Sequence, residues 1–180
     1  MFVLAGKSCA GKNAVADELL RRGYERCITY TTRPMREKEV DGVDYHFVSD
    51  EQFQKYLETG FFAEYIKYTT VFGEWWYGTA AKDFEEVNDK KFIILTPDGI
   101  DQVKRVTGLK PKVIYIYANA KTINKRLKDR GDNSEEAARR VEQDAIDFKG
   151  FEDVADKIYY NNLGTDISSI ADKIESFVAN

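Results

Sequence analysis

Apolar and polar positions divide the chain into a recurring pattern of strands and helices. Phe2 to Ala5 is a short apolar run, and the helix-compatible stretch Ala14 to Leu20 follows Lys12, giving strand, glycine-containing turn and helix. Lys91 to Leu95 and Lys112 to Tyr117 are near-continuous apolar runs, the pattern of strands buried on both faces of a parallel sheet. Arg26 to Tyr30 predicts a further strand and Lys157 to Tyr160 a last short one. Helices are predicted from about Gly99, over Lys121 to Arg130, from Ser134 onward and over Asp166 to Val178. In the third of these, Glu135 and Glu136 fall in the first turn, where the helix dipole favours negative charge. Strands alternating with helices predict an α/β sandwich with a central parallel sheet flanked by helices.

The middle of the chain breaks this rhythm. Thr31 to Asp44 is too charged for a core and reads as a surface loop held by Pro34 and Gly42. Asp50 is placed to cap a short helix through Leu57, ended by Gly60. Phe61 to Trp76 is aromatic and β-branched about a turn at Gly73, which predicts short antiparallel strands, and Thr79 to Val87 looks helical. The 30s to 70s therefore read as an insertion into the sandwich.

Composition narrows the class. A length of 180 residues predicts one domain with a continuous core, and 43% hydrophobic with 32% charged residues fits a globular chain rather than a disordered one. No apolar run reaches membrane-spanning length, and Met1 leads straight into Phe2 to Ala5 without a basic segment, so neither a membrane anchor nor a secretory signal is expected. Two cysteines, Cys9 and Cys27, with the single His46, are too few for a zinc site and fit a reducing cytoplasm, the expected location. A net charge of −4 counts against nucleic acid as a partner. Small anions remain open if arginines and lysines converge locally.

Gly6-Lys-Ser-Cys-Ala-Gly-Lys12 reads G-x-x-x-x-G-K, between a predicted strand and a predicted helix. In such a loop the main-chain N–H groups surround phosphate oxygens, the helix dipole adds to them, and the lysine reaches the β- and γ-phosphates. Gly6, Ser8, Cys9, Ala10, Gly11, Lys12, Asn13 and Ala14 are the candidate ATP phosphate-binding residues. A chance strand–turn–helix with two glycines and a lysine is the competing reading. Cys9 replaces a frequent middle glycine, and Asn13 stands where a hydroxyl normally ligands Mg²⁺.

A second segment, Thr31-Thr-Arg33-Pro-Met-Arg36-Glu-Lys-Glu39-Val-Asp-Gly42-Val-Asp-Tyr45-His-Phe47, carries two guanidinium groups suited to bidentate phosphate contact and a tyrosine hydroxyl; a solvated charge run is the alternative. Its spelling, T-T-R-x-x-R-x-x-E-x-x-G-x-x-Y-x-F, resembles the signature of guanylate kinases, and the likeness extends from the glycine loop to the terminal helix. The resemblance implies a P-loop kinase sandwich with a mixed-strand insertion that binds a nucleoside monophosphate, and a helical lid. On this reading residues 1–180 are a single kinase domain: core at about 1–30, 79–125 and 155–180, monophosphate-binding region at about 31–78, lid at about 126–154.

The same resemblance implies roles. Arg33, Arg36 and Tyr45 would hold the phosphate of GMP, with Tyr77 touching it as well; Thr29, Glu64 and Thr79 would read guanine. Arg126, Arg130 and Arg140 fall in the segment that matches the lid, where arginines close over ATP, and Asn161 lies on the adenine side. The expected catalytic residues are Lys12, Arg36, Arg130 and Arg140. Arg139 reads as ordinary surface arginine, Trp75 and Trp76 as packing, and His46 as a polar residue pointing outward. Two positions depart from the family pattern: Ile94 and Thr96 stand where acidic residues usually help organise Mg²⁺. No metal ligand is assigned, apart from Mg²⁺ brought with ATP and near Asn13, whose amide oxygen is a neutral donor. The expected reaction transfers the ATP γ-phosphoryl group to GMP or dGMP. A same-fold kinase for another monophosphate and a non-catalytic binding module are the alternatives; the module typically lacks the lysine and lid arginines kept here.

Overall fold

The computed structural model describes residues 1–131 and 133–179. Its Cα packing divides into two compact units: residues 1–26, 88–98 and 111–180 form the first, residues 27–87 and 99–110 the second.

The first unit is built on a five-stranded parallel sheet. Its strands are β1 (Phe2–Ala5), β2 (Glu25–Arg26), β7 (Lys91–Ile94), β8 (Lys112–Tyr117) and β9 (Lys157–Tyr160), in the order β2-β7-β1-β8-β9. Side chains alternate across it. Phe2, Leu4, Phe92, Ile114 and Ile116 face Val15, Ala16 and Leu19 of helix α1 (Lys12–Arg21) and Ile170, Ala171, Ile174 and Val178 of helix α6 (Ile167–Val178). On the opposite face, Tyr115 stacks on Phe148 at 5.6 Å and meets the edge of Phe151 at 5.2 Å. Burial on both faces is why these strands read as unbroken apolar runs. Each such aromatic or aliphatic side chain removed from water stabilises the fold by about 1.5–3 kcal/mol. Arg22, after α1, fixes α6 by bonds to Asp172 at 2.6 Å and Glu175 at 2.7 Å.

Two more helices belong to this unit. Helix α4 (Ala120–Arg130) starts on the Asn119 cap, and α5 (Ser134–Asp147) on Asn133, whose side chain accepts from the N–H groups of Glu135 and Glu136. Together they form the helical lid segment.

The second unit carries a mixed four-stranded sheet, β4 (His46–Phe47), β3 (Tyr30–Thr31), β6 (Gly73–Ala80) and β5 (Phe62–Thr70), in that order. Strands β5 and β6 form a long hairpin. Helix α2 (Asp50–Glu58) supplies Phe53 and Tyr56 to an aromatic cluster with Tyr30, Phe61 and Phe62. Most of helix α3 (Pro97–Thr107) lies here, with Gln102 bridging both main-chain polar groups of Tyr65.

Three local expectations are corrected. Arg26 to Tyr30 is not one strand, because Glu25 and Arg26 pair with Lys91 and Phe92 while Tyr30 and Thr31 pair in the other sheet. Thr79 to Val87 is not helical: Thr79 and Ala80 are fully buried cross-strand partners of Glu64 and Phe62, and only a 3₁₀ turn, Ala81–Phe84, follows. The cap of α2 is Ser49, which accepts from the Gln52 N–H at 3.2 Å, and Asp50 sits in the first turn.

Candidate functional site

The loop between β1 and α1 takes its path from backbone requirements. A Cβ on Gly6 would meet the Ile116 carbonyl oxygen at 2.5 Å, so only glycine lets the loop leave the sheet so close to β8. Gly11 caps α1 in a left-handed conformation with φ 96°. Cys9 shares that region with φ 58°, where a side chain costs roughly 1–2 kcal/mol, which explains why glycine is frequent at its position. The loop ends in the first turn of α1, where an α-helix cannot satisfy its own N–H groups and where Lys12, Asn13 and Ala14 lie.

Side chains from distant segments hold this path. The Arg126 guanidinium donates to the carbonyls of Cys9 at 3.1 Å and Ala10 at 3.0 Å, and the Asn161 amide donates to Ala10 at 2.8 Å. Arg126 also donates to the Asn161 carbonyl oxygen at 3.3 Å. Ser8 donates its N–H to the Asp144 carboxylate at 2.7 Å. The Lys12 ammonium donates to Gly6 O at 2.5 Å and Lys7 O at 3.0 Å. Burial holds the Lys12 pKa below its ordinary value; the charges of Asp144 and Cys9 act against that, and those of Arg130 and Arg26 add to it.

Of the lid arginines, Arg126 is engaged with the loop carbonyls, while exposed Arg130 acts electrostatically on Lys12. Asn161 is 1% exposed, and its amide donates to Ala10 O of the loop. Arg140 and Arg139 both donate to the buried Glu136, at 2.8 Å for Arg140 Nε, which gives Arg139 a partner beyond ordinary solvent.

In the second unit, the arginine-rich segment folds around its own carboxylate. Arg33 forms a fork to Glu39 at 2.7 and 2.9 Å and lies 5.4 Å over the Tyr45 ring and 5.7 Å over Phe47. Its side chain is 5% exposed, whereas that of Arg36 is 45% exposed and 3.7 Å from Glu39. The Arg36 N–H also donates to Glu39, at 2.9 Å. Burial alone would raise the Glu39 pKa, but bonds from Arg33 and the Arg36 amide hold it below the usual value. Tyr45 and Tyr77 meet edge to face at 6.0 Å. Thr31 was read as part of a surface loop, but it is fully buried and its hydroxyl donates to Trp76 O at 2.9 Å.

A second cluster lies along β5 and β6. Glu64 is 4% exposed and accepts from the Thr79 hydroxyl at 2.6 Å, and the Thr29 and Thr79 hydroxyls are 3.5 Å apart. Trp76 packs on Phe53 at 5.8 Å, and Trp75 stacks on Phe72 at 6.0 Å. His46 is half-buried, with its ring 4.5 Å from that of Tyr30. Glu39 and Asp144 hold site residues, through Arg33 and Ser8, yet received no role from the sequence. Glu39 is spelled out in the motif; nothing in the sequence marks Asp144.

Among the described residues no group of three or more His, Cys, Asp or Glu is placed to hold a metal.

A parallel sheet with a glycine loop at its first strand–helix turn, a mixed-strand insertion and a helical lid define the class of P-loop kinase folds. The crystal structure of guanylate kinase from Anaplasma phagocytophilum shares that fold with a TM-score of 0.70 at 23% identity, over 99% of this chain and 84% of that one. The family model described as "Guanylate kinase" matches residues 1–178, and the chain belongs to the guanylate kinase family. Guanylate kinase of Haemophilus influenzae is 30% identical over 169 residues, 90% of this chain and 80% of the relative. That of Aliivibrio fischeri is 30% identical over 142 residues, 75% and 67% of the two chains.

Proposed function

We propose that the protein transfers the γ-phosphoryl group of ATP to GMP or dGMP, giving ADP and GDP or dGDP. The observation that carries this reading is the Glu64–Thr79–Thr29 cluster, with Glu64 and Thr79 buried, in the same unit as Arg33, Arg36, Tyr45 and Tyr77. A carboxylate is an acceptor for the N1–H and N2 amine of guanine, and adenine offers no such pair of donors on that edge. The Thr79 hydroxyl donates to one carboxylate oxygen and thereby orients it, and Thr29 supports Thr79. Arg36 is the more exposed guanidinium and contacts the acceptor phosphate; Arg33, walled by Tyr45 and Phe47, fixes the shape of that seat.

On the donor side, the amides from Ser8 to Ala14 and the Lys12 ammonium receive the ATP phosphates. Lys12 exchanges its bonds to Gly6 O and Lys7 O for phosphate oxygens. Arg130 and Arg140 add positive charge where the transferring group develops negative charge, the largest lever in this chemistry. Asn13, a neutral amide donor at the start of α1, would stand beside Mg²⁺ brought with ATP, which would supply charge neutralisation at the phosphates. No side chain acts as a strong base, and His46, packed on Tyr30, has no part.

The test is ADP release with ATP, Mg²⁺ and each common nucleoside and deoxynucleoside monophosphate in turn. Turnover confined to guanine acceptors is expected. No turnover with any acceptor sinks the enzyme reading, and turnover with another base alone sinks the role of Glu64.

A further inference from the structure

Asp144 has no place in the reaction just described, yet its carboxylate lies on the phosphate loop. It comes from the third turn of α5, 136 residues from Ser8 in sequence, and accepts the Ser8 N–H at 2.7 Å. That is the short end of the range for an N–H donating to a charged oxygen. Carboxylate and phosphate ask the same of a loop: amide donors and a nearby ammonium. Asp144 uses the first and is the foremost negative charge acting on Lys12. The charges it faces are Lys12 from the loop and Asp147 from its own helix.

We propose that Asp144 is a tethered anion that competes with the ATP phosphates for the loop, and that its release from Ser8 is a step in ATP binding. This rests on the assignment of the loop to ATP. Two anionic groups cannot share one N–H donor without strong repulsion, so the phosphate that arrives displaces the carboxylate. Until then Asp144 joins Arg126 and Asn161 in holding a loop that carries a non-glycine residue at φ 58°. The proposal makes α5 a counterweight: the contact stabilises the free protein and weakens ATP.

Calorimetric titration of ATP and of inorganic tripolyphosphate, each with and without Mg²⁺, tests this on wild type, Asp144→Asn, Asp144→Ala, Asp147→Asn and Lys12→Ala. Asp144→Asn keeps the side-chain shape, so a failure to fold does not confuse the comparison. Both Asp144 variants should bind both ligands about tenfold tighter, the size expected for one hydrogen bond to a charged group. Their free forms should melt at lower temperature. Asp147→Asn, which removes the same charge one turn away, should change affinity less than about twofold. Equal or weaker binding by both Asp144 variants overturns the proposal, as does an equal gain from Asp147→Asn. Weakening only when Mg²⁺ is present overturns it in favour of a metal contact. Wild-type affinity in Lys12→Ala removes the loop assignment and the proposal with it, whereas the other failures leave that assignment standing.

Discussion

In the loop after β1, the groups available to an anion are main-chain amides and one ammonium, Lys12; in the segment from Thr31 to Phe47 they are the guanidinium groups of Arg33 and Arg36 beside Tyr45. The materials impose different supports. Amides point correctly only if the backbone follows one path, so the loop spends its fixings on conformation: Gly6 against the Ile116 carbonyl, Gly11 at φ 96°, and Arg126 and Asn161 on loop carbonyls. Guanidinium groups bring full charges on long flexible stems, so the second region spends its fixings on charge and direction: Glu39 as a counterion and aromatic rings as walls. Protecting a shape and protecting a charge are separate tasks, and they fail differently under mutation.

The comparison breaks most severely at Lys12, the ammonium that donates to two loop carbonyls. Lys12→Ala should lower kcat on the order of a thousandfold while the melting temperature stays within about 2 °C of wild type. A melt many degrees lower would make Lys12 a structural strap across Gly6 and Lys7. Next comes Glu64→Ala, which should lower kcat/KM for GMP about a hundredfold or more, with ATP affinity unchanged. An equal loss of ATP affinity would show that the damage is not local to the base contacts.

Glu39→Gln sharpens the contrast through charge. Leaving the buried Arg33 without its counterion should cost about 1–3 kcal/mol in urea denaturation at pH 7. The sign with pH follows from the lowered Glu39 pKa: its stabilisation is complete above the ordinary value of 4.5 and is lost as pH falls through the lower folded value. Wild type and variant should therefore converge in acid, and a gap that persists well below that range would count against the ion pair. The smallest effect belongs to shape. Cys9→Gly removes roughly 1–2 kcal/mol of left-handed strain but adds about 0.5–1 kcal/mol of chain entropy. A net gain of about 0.5 kcal/mol is expected, read as a small rise in melting temperature.

The sequence announces these regions unequally. Strands β1, β7 and β8 are legible because burial on both faces leaves only apolar residues. The arginine segment is legible because Arg33, Tyr45 and Phe47 meet within a few turns of chain, and the structure does bring them together. Thr79 to Ala80 was misread because its helix-compatible composition says nothing about the cross-strand partners Glu64 and Phe62 that override it. The fixings of the glycine loop were hidden for a different reason. Arg126 and Asn161 bond to carbonyl oxygens, which every residue has, so no residue type in the loop marks where those partners attach. The bond from the Asn161 amide to Ala10 is one such tie.

One consequence of those ties concerns time rather than energy. The loop leaves the ribosome well before the segments that hold it, for Ala10 is bonded to residues 126 and 161 and Ser8 to residue 144. Contacts across 116 to 151 positions wait until that much further chain has been made. The opening residues spell the loop, and β9 and the segment after it complete it.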